Sequence, residues 1–380
     1  MLLEFGFKNF LSFKEGTSVS FKLDSKTPET VRSGRDFATV MCVKGANGSG
    51  KTHLLKALAF VGSFASSSFS ENPDAEIAID PFFSSKKPTE FYVEFRTEEA
   101  QYLYELSVTR KKVVREALYE TVKRKTLLFE RLGDEVHPVK RLHYLSSIKI
   151  RSNASVISIS NQHGGDALKG VHQFFSRIRF NVTQSGFSTR GRIFDSNTVS
   201  RFFVDQPAYL RQAVQFLQEC DVGISDITIS VEESVDKEKR YFPVFHHKVG
   251  NKTEMVTPST ESSGTLYLYR LMLAYFLTIA EGSVLVLDEF DIYLHPHILP
   301  KILRLFLDEE INGHGAQFLF SAHNSEILDI CGKYRTYLVN KENNASYAYR
   351  LDEIPGEMLR NDRSIIPVYN EGRVGGVPRL

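Results

Sequence analysis

The feature that most constrains the fold of this chain is a glycine-rich stretch near its start, which runs Gly45, Ala46, Asn47, Gly48, Ser49, Gly50, Lys51, Thr52. It fits the pattern GxxxxGK followed by Ser or Thr, in which glycines let backbone N–H groups turn toward phosphate. Lys51 is then expected to reach the β and γ phosphates, and Thr52 to face Mg²⁺. An apolar run ends at Gly45 and a helical pattern follows Thr52. The order strand, loop, helix therefore predicts a nucleotide-binding βα unit.

Charge and cysteine content narrow the possible partners only a little. Lys and Arg number 47 against 46 Asp and Glu, so no overall basic field indicates nucleic acid or an anionic membrane, although a local patch stays open. Three widely separated cysteines have neither disulfide-framework nor metal-ligand spacing, which is typical of a reducing compartment. No apolar run approaches the roughly 18 residues that span a bilayer. We therefore expect a cytoplasmic protein without a membrane partner.

Apolar periodicity predicts an α/β fold whose core is assembled from both ends of the chain. Alternation at residues 3–7 and 19–23 predicts two paired strands before the phosphate loop, and residues 90–132 alternate as an antiparallel β meander. Residues 284–290 and 316–323 are apolar runs typical of a buried parallel sheet, with a helix between them. A mostly parallel sheet flanked by helices, together with an antiparallel β subdomain, follows from these patterns.

The chain is expected to divide into three segments. Residues 1–150 would form an N-terminal lobe with the phosphate loop and the meander. Residues 151–225 turn rich in Ser, Asn and Arg and then helical, which indicates a helical insertion. Residues 226–380 would form the C-terminal lobe, with two strands, a largely buried helix and the apolar strands of the core.

An acidic pair stands at the end of the buried strand "VLVLDEF". Open α/β sheets present their ligands at the carboxyl ends of strands. Asp288 is expected to hold Mg²⁺ directly or through water, and Glu289 to orient or deprotonate the attacking water. A helix-capping acidic pair is the competing interpretation.

Two further stretches have polar residues at positions where a nucleotide could bind. "FLFSAHNSEIL" ends another buried strand, so His323 could contact the γ-phosphate as sensor and hydrogen-bond donor, although a histidine at a strand end is more often structural. "STESSGT" places Ser262, Gly264 and Thr265 immediately before a long helix, a small-residue N-terminus suited to an anion or simply a helix cap.

The order of these motifs resembles that of ABC-type ATPases. In that class the phosphate loop is followed by a long insertion, a signature in the LSGGQ position, an acidic strand ending in DE, and a strand ending in a switch histidine. Here "ESSGT" keeps the Ser at 262 and the second Gly at 264, with Thr265 where Gln usually stands.

Within that class, the chain resembles the SMC, RecF and OLD (overcoming lysogenization defect) ATPases. The opening "LLEFGFKNFLSFKE" is similar to their φxNFxSF strand. "DEFDIYLHPHI" resembles the DEPExxLHP of the OLD-like group, with His295 and Pro296 matching and Asp291 in place of Glu. The closing "VYNEGRVGGVPRL" is similar to the YLxGRFGAVPxI ending of the RloA-like abortive-infection ATPases of antiphage defence.

The resemblance implies slow, dimer-dependent ATP hydrolysis with Mg²⁺. ATP would lie between two copies in a head-to-tail homodimer or higher oligomer, with Lys51, Glu289 and His323 of one copy facing Ser262, Gly264 and Thr265 of the other. It further implies a nucleotide-dependent switch or scaffold that controls a separately encoded effector, a nuclease or toxin, in antiphage defence.

The chain also departs from the family pattern. No convincing Q-loop glutamine follows the first helix, and "IDPFFSS" is the nearest candidate. Neither a Toprim nuclease domain nor an HNH-like cluster is recognised, which is why the effector is expected on another chain. His246 and His247 are interpreted as a solvated pair on a strand.

The main alternative is a RecF- or SMC-like ATPase that binds DNA in repair. Basic stretches such as "TRKKVVRE", "VKRKTLLFER" and "VKRLHYLSSIKIR" could supply phosphate contacts. A solvated outer face of the meander is favoured, because Glu116, Glu120 and Glu130 are interspersed. A transporter nucleotide-binding domain and a phosphate-loop kinase fit less well, since the signature departs from LSGGQ and a kinase would have no use for Glu289 and His323.

Overall fold

Two β-sheets face each other across one long helix, and this helix begins at the phosphate loop. A computed structural model describes residues 1–183, 186–187, 194–220, 223–233, 238–356, 358–361 and 363–377. The strands are β1 (Leu2–Lys8), β2 (Thr17–Ser20), β3 (Val40–Lys44), β4 (Thr89–Arg96), β5 (Gln101–Val108), β6 (Val113–Thr121), β7 (Lys125–Leu132), β8 (Glu135–Pro138), β9 (Arg179–Phe180), β10 (Val182–Thr183), β11 (Gly186–Phe187), β12 (Ile224–Glu233), β13 (Lys239–Val249), β14 (Lys252–Val256), β15 (Val284–Leu287), β16 (Gln317–Ser321), β17 (Thr336–Glu342) and β18 (Ala345–Arg350). The helices are α1 (Glu29–Arg32), α2 (Lys51–Ser67), α3 (Val156–Gln162), α4 (Lys169–Ser176), α5 (Ser196–Asp205), α6 (Pro207–Cys220), α7 (Ser263–Glu281), α8 (Leu299–Leu307), α9 (Ile327–Cys331) and α10 (Ile366–Asn370).

The first sheet is antiparallel, with the order β2-β1-β4-β5-β6-β7-β8. Its strands alternate between buried and partly exposed residues, so one face lies on the core and the other faces outward. Tight connections join β4 through β8 in chain order, and β1 pairs with both β2 and β4. The predicted paired strands and the predicted meander are therefore parts of one sheet.

The second sheet has the order β18-β17-β3-β16-β15-β9. Strands β17, β3, β16, β15 and β9 run parallel, and β18 is an antiparallel edge strand. Because β3 comes from the first part of the chain and β15 to β18 from the last part, both ends of the chain build this sheet. The α/β fold with a mostly parallel core sheet is confirmed.

Helices cover both faces of the parallel sheet. On β3, Met41 and Val43 belong to the core shared with α2 and the antiparallel sheet, whereas Val40 and Cys42 face the core built with α7 and α8. All five residues of β3 are buried. A strand covered on both faces must be apolar throughout, which explains its continuous apolar sequence.

The segment predicted as a helical insertion contains α3 to α6, but it also supplies a strand of the core. Arg179–Phe180 pairs in parallel with β15, which the helical periodicity of the surrounding residues did not indicate. A small antiparallel sheet of β12, β13 and β14 follows this segment. The proposed limits at residues 150 and 225 stay a prediction.

The C-terminal segment packs on the β17 side of the parallel sheet. Tyr369 and Val374 form a third apolar cluster with Leu338 of β17 and Leu351. Residues 378–380 of the closing motif lie outside the described residues. Within the part of the chain that is described, no helix is long and apolar enough to cross a membrane.

Candidate functional site

The phosphate loop connects β3 to α2 in a conformation that needs glycine. Gly48 and Gly50 have φ of +73° and +118°, in the region that L side chains rarely adopt. At Gly45, an added Cβ would lie 2.4 Å from the carbonyl oxygen of Val339 on β17. The glycines therefore let the loop turn tightly against the sheet and leave its N–H groups at the N-terminus of a 17-residue helix, which is a site for anions.

Lys51 folds back over the loop. Its Nζ donates to the carbonyl oxygens of Gly45 at 2.8 Å and Ala46 at 3.1 Å. Burial lowers the pKa of its ammonium group from the ordinary value, with the nearby acidic residues acting in the opposite sense. Beside it, the Ser49 hydroxyl is buried without a hydrogen-bond partner in the described structure. The loop thus holds both a cation and an unpaired polar group where a phosphate would bind.

Thr52 and the acidic strand meet across the sheet. The Thr52 hydroxyl donates to Asp288 Oδ2 at 2.6 Å, and Ser321 at the end of β16 donates to Asp288 Oδ1. The Asp288 side chain is buried. The backbone of the next residue is held by the same serine, because Glu289 N–H donates to Ser321 Oγ at 2.8 Å. Residues predicted separately from three motifs therefore lie in one hydrogen-bonded group.

Asn181 completes this group and was missed by the sequence analysis. It follows β9, and its side-chain amide makes two hydrogen bonds to the backbone of Asp288, one to the carbonyl oxygen at 2.9 Å and one from the N–H at 2.7 Å. A polar residue directly after an apolar strand was the available signal. In the Q-loop candidate "IDPFFSS", Asp80 pairs with Arg110, and its backbone carbonyl oxygen accepts the N–H of Leu11. The glutamine that follows β9, Gln184, lies outside the described residues.

Glu289 and His323 lie side by side at the edge of the group. Glu289 has a left-handed backbone conformation, with φ of +48°, which is costly for a residue other than glycine and is found at functional sites. The Oε1 atom of Glu289 lies 3.3 Å from Nε2 of His323, and both side chains are partly exposed. A carboxylate and an imidazole thus lie side by side, and both are partly exposed to solvent.

The donor set fits Mg²⁺. Hydroxyl and carboxylate oxygens are the ligands that Mg²⁺ prefers, and it usually takes one or two protein ligands together with phosphate oxygens and water. Thr52 and Asp288 present such a pair next to the unpaired Ser49 hydroxyl. Among the described residues, no cluster of three or more His, Cys, Asp or Glu side chains could hold a metal ion.

The signature lies at the N-terminus of α7. Ser262 caps this helix, accepting the N–H of Thr265 at 3.1 Å and donating to its hydroxyl at 2.8 Å. An added Cβ at Gly264 would lie 2.7 Å from the carbonyl oxygen of Tyr293, which follows the acidic pair. These contacts join the signature to its own helix turn and to the segment after Glu289, and its small residues are needed for the close approach.

The interpretation of His246 and His247 as a solvated pair is wrong. His247 Nε2 lies 2.7 Å from Oε2 of Glu261, whose other oxygen accepts the N–H of Ser262 at 2.6 Å. His246 hydrogen-bonds the Thr228 hydroxyl at 2.8 Å on the neighbouring strand. The error arose because the partner of His247 comes from a loop that the strand pattern cannot indicate. The small sheet is therefore linked to the signature through His247.

A second network that the sequence did not indicate lies on the other side of the phosphate loop. His53 Nδ1 lies 2.7 Å from the Ser12 hydroxyl, whose oxygen lies 2.7 Å from the hydroxyl oxygen of Ser346 on β18. Ser346 also donates to the carbonyl oxygen of Ser49. Burial lowers the pKa of His53 to about 4. The N-terminal "NFLSF" motif and β18 thus hold the loop together.

Four basic side chains of the meander have acidic partners, namely Arg96, Arg110, Arg115 and Arg131. Arg115 pairs with Glu105 at 2.7 Å and Glu130 at 2.8 Å. Arg131 is fully buried opposite Glu116. Side chains held in such pairs are less available for phosphate contacts, whereas other basic side chains of the meander are exposed, namely Lys111, Lys112, Lys123, Arg124 and Lys125.

The sequence matches a known protein family, and the structure is similar to solved structures. Residues 40–329 match the family described as "AAA domain, putative AbiEii toxin, Type IV TA system". Among solved structures, "Crystal structure of the SmcHead bound to the C-winged helix domain of ScpA" is similar with a TM-score of 0.53 and 13% identity, covering 93% of this chain and 99% of that chain. "SMC head domain from Thermotoga maritima" is similar with a TM-score of 0.45 and 17% identity, covering 92% of this chain and 98% of that chain. No curated protein matches. The first likeness identifies the fold as the ABC-type core of SMC heads.

Proposed function

The chain belongs to the AAA-domain family that its residues 40–329 match, and from this premise we propose that it is an ATPase that works as a dimeric, nucleotide-dependent switch. One observation carries the proposal. The phosphate loop and the acidic strand, which are far apart in the sequence, meet through the Thr52, Asp288 and Ser321 hydrogen bonds, and His323 lies 3.3 Å from Glu289 beside them. This arrangement supports binding and hydrolysis of a nucleoside triphosphate, with ATP as the substrate that the family resemblance implies.

Each residue of the group has a distinct task in this mechanism. Loop N–H groups and Lys51 bind the β and γ phosphates, with the lysine exchanging its two carbonyl partners for phosphate oxygens. Thr52 and Asp288 would hold Mg²⁺, which when bound neutralises charge on the phosphate oxygens. Water attacks the γ-phosphorus, Glu289 accepts its proton, and the bond between the γ-phosphorus and the leaving oxygen of ADP breaks.

The second half of the site is proposed to come from another copy of the chain. Ser262, Gly264 and Thr265 lie at the N-terminus of a 19-residue helix, where N–H groups and the helix dipole favour an anion. In a head-to-tail pair with two-fold symmetry, these residues would contact the γ-phosphate bound by the other copy. Hydrolysis would remove those contacts, so the γ-phosphate controls the dimer.

The cellular role that we propose is control of a separate effector in antiphage defence. The family description includes "putative AbiEii toxin, Type IV TA system", and the closing "VYNEGRVGGVPRL" is similar to the ending of the RloA-like ATPases. Under this proposal the ATP-bound and ADP-bound forms differ in how they hold a nuclease or toxin. A RecF-like role in DNA repair is the alternative, and the exposed basic side chains of the meander are where it would place phosphate contacts.

The experiment compares the wild-type protein with Lys51→Ala, Glu289→Gln and the surface control Lys26→Ala. Phosphate release from ATP should be lost in the first two variants and kept in the control. The same variants, purified from the native host, are then analysed by mass spectrometry and for nucleic acid. A nuclease or toxin enriched in one nucleotide state supports effector control, whereas DNA retained only by Glu289→Gln and lost with salt would favour the repair ATPase. Phosphate release unaffected by Glu289→Gln would refute the assigned catalytic base.

A further inference from the structure

The loop that carries His323 is held through its backbone by an aspartate. Asp291 lies two residues after Glu289, and its Oδ2 accepts the N–H groups of His323 at 2.9 Å and Asn324 at 2.8 Å. One carboxylate oxygen thus fixes two consecutive peptide groups. Charge-assisted hydrogen bonds of this kind are stronger than neutral ones.

A lysine holds the same two residues from their carbonyl side. Lys44 is the residue immediately before the phosphate loop, and its Nζ donates to the carbonyl oxygens of His323 at 2.7 Å and Asn324 at 3.1 Å. The N–H and the C=O of His323 are therefore each bound to a charged group, and those groups come from the phosphate-loop strand and the acidic strand.

Both charges are buried. Lys44 is 2% exposed and Asp291 is 9% exposed, so neither side chain can be solvated as it would be at the surface. Burial lowers the pKa of the Lys44 ammonium group, and the charge of Asp291 opposes this change. Buried charges persist only when they are paired or hydrogen-bonded, and here each charge is hydrogen-bonded to the backbone of residues 323 and 324.

The C-terminal segment packs against Lys44. The Nζ atom of Lys44 lies 5.5 Å from the ring centroid of Tyr369, within the range of a cation–π interaction. The Tyr369 hydroxyl donates to the carbonyl oxygen of Gly376 at 3.1 Å. Gly376 has φ of +76°, and an added Cβ would lie 3.0 Å from the Tyr369 ring.

The glycine-rich turn that holds Tyr369 is tied to the edge of the parallel sheet. Gly376 N–H donates to Oδ1 of Asn340 on β17 at 2.8 Å, and the Tyr349 hydroxyl on β18 donates to the carbonyl oxygen of Val374 at 2.6 Å. The closing motif of the sequence is thus fixed to strands next to the phosphate loop. Its ordered turn places an aromatic ring against Lys44.

We propose that Lys44 and Asp291 are positioning residues that orient His323 toward the γ-phosphate, and that Tyr369 of the C-terminal motif stabilises them through Lys44. This inference rests on the proposed role of His323. It assigns a task to the closing glycine-rich motif, which the ATPase chemistry itself does not require. The motif would set how well the switch histidine is held, and so how fast the bound nucleotide is hydrolysed.

The decisive variants are Asp291→Asn, Asp291→Glu and Tyr369→Leu in the full chain. Asp291→Asn keeps the shape of the side chain but leaves Lys44 without its counter-charge. Glu is the residue that the OLD-like pattern has at this position, so Asp291→Glu should preserve the contacts of His323 and the rate of ATP hydrolysis. Asp24→Asn is a matched control, because Asp24 Oδ1 also accepts two consecutive N–H groups, those of Lys26 and Thr27, in a loop outside the site.

Hydrogen exchange gives a readout that does not depend on ATP hydrolysis. In Asp291→Asn and Tyr369→Leu, the amides of residues 323 and 324 should exchange about ten-fold faster or more, the factor expected when a charge-assisted hydrogen bond is lost. Amides of β3, β15 and α2 should be unchanged. The kcat for ATP should fall about 10- to 100-fold with KM nearly constant, since small misplacement of a reacting group has effects of this size. Asp291→Glu and Asp24→Asn should match the wild type.

The inference is overturned if exchange at residues 323 and 324 stays at the wild-type rate, if exchange rises equally across the core, or if KM changes while kcat does not. If Asp291→Asn fails to fold, Tyr369→Leu is read in its place against the same criteria, and Asp291→Glu should still match the wild type. Absence of ATP hydrolysis in the wild type would refute the proposed function alone, because the exchange experiment would still test the contacts of His323.

Discussion

Replacing Glu116 by alanine should strongly destabilise the protein. Glu116 and Arg131 are both 0% exposed, and they face each other on β6 and β7 beneath the start of α3. Glu116 accepts hydrogen bonds from the Tyr104 hydroxyl at 2.9 Å, from the Ser155 hydroxyl at 2.6 Å and from the Val156 N–H at 3.0 Å. Its carboxylate therefore joins the antiparallel sheet to the N-terminus of a helix.

The size of the effect follows from what the substitution leaves behind. Breaking a buried ion pair by removing one partner costs about 3–5 kcal/mol, because the remaining charge is uncompensated. Each buried donor left without an acceptor adds about 1–3 kcal/mol, of which relaxation and water entry recover a part. We expect a loss of about 4 kcal/mol, a large share of the roughly 5–15 kcal/mol that stabilises a typical domain.

Urea denaturation followed by circular dichroism measures this loss. The matched control is Glu105→Ala, which removes the partner of Arg115 in an ion pair near the surface. The Glu105 side chain is 32% exposed, so this substitution should lower the free energy of unfolding by no more than about 1 kcal/mol. The double variant Glu116→Ala, Arg131→Met should recover part of the stability, because it removes the orphaned charge. A loss below about 1 kcal/mol for Glu116→Ala would refute the reasoning.

Three further predictions concern the site. Gly264→Ala would place a Cβ 2.7 Å from the carbonyl oxygen of Tyr293, so ATP turnover should fall at least about ten-fold. Nucleotide binding, measured by fluorescence titration, should persist. Unchanged turnover would contradict the close approach. The pKa of His53 is lowered from 6.5 to about 4 in the folded protein. Between pH 6.5 and about 4 the unfolded chain therefore binds a proton that the folded chain does not. The free energy of unfolding, measured without nucleotide, should fall as the pH drops through this range. Urea midpoints at several pH values should show this fall in the wild type and less of it in His53→Asn, and equal slopes would contradict it. His247→Ala removes the 2.7 Å contact to the carboxylate beside the α7 N-terminus and should lower turnover with little change in Tm, whereas His246→Ala should not; equal effects would argue against a link to the signature.

Local patterns were sufficient for the elements that carry the motifs. The strand, loop and helix around Lys51 and the strand before Asp288 follow from apolar runs bounded by glycine or acidic residues, because such runs are determined by neighbours in the sequence. The alternating strands of the meander were predictable for the same reason. The limits of the helical segment were harder, since a two-residue strand such as Arg179–Phe180 leaves no periodic signal.

Contacts between distant segments were beyond the reach of these patterns. Asn181 and Asp288 are 107 positions apart, and the sequence around either residue does not predict a contact with the other. The same holds for His247 with Glu261 and for Lys44 with His323, where a polar side chain meets a loop from another part of the chain. Sequence patterns indicated where phosphate and metal ligands would lie, whereas the side chains that orient those ligands emerged only from the fold.

Sedimentation velocity of Glu289→Gln, with and without ATP and Mg²⁺, tests the central claim most directly. A nucleotide-dependent dimer predicts that ATP raises the sedimentation coefficient of Glu289→Gln, that ADP does not, and that Lys51→Ala does not respond to either nucleotide. The same coefficient for Glu289→Gln in ATP, in ADP and without nucleotide would contradict the switch, as would an equal response from Lys51→Ala.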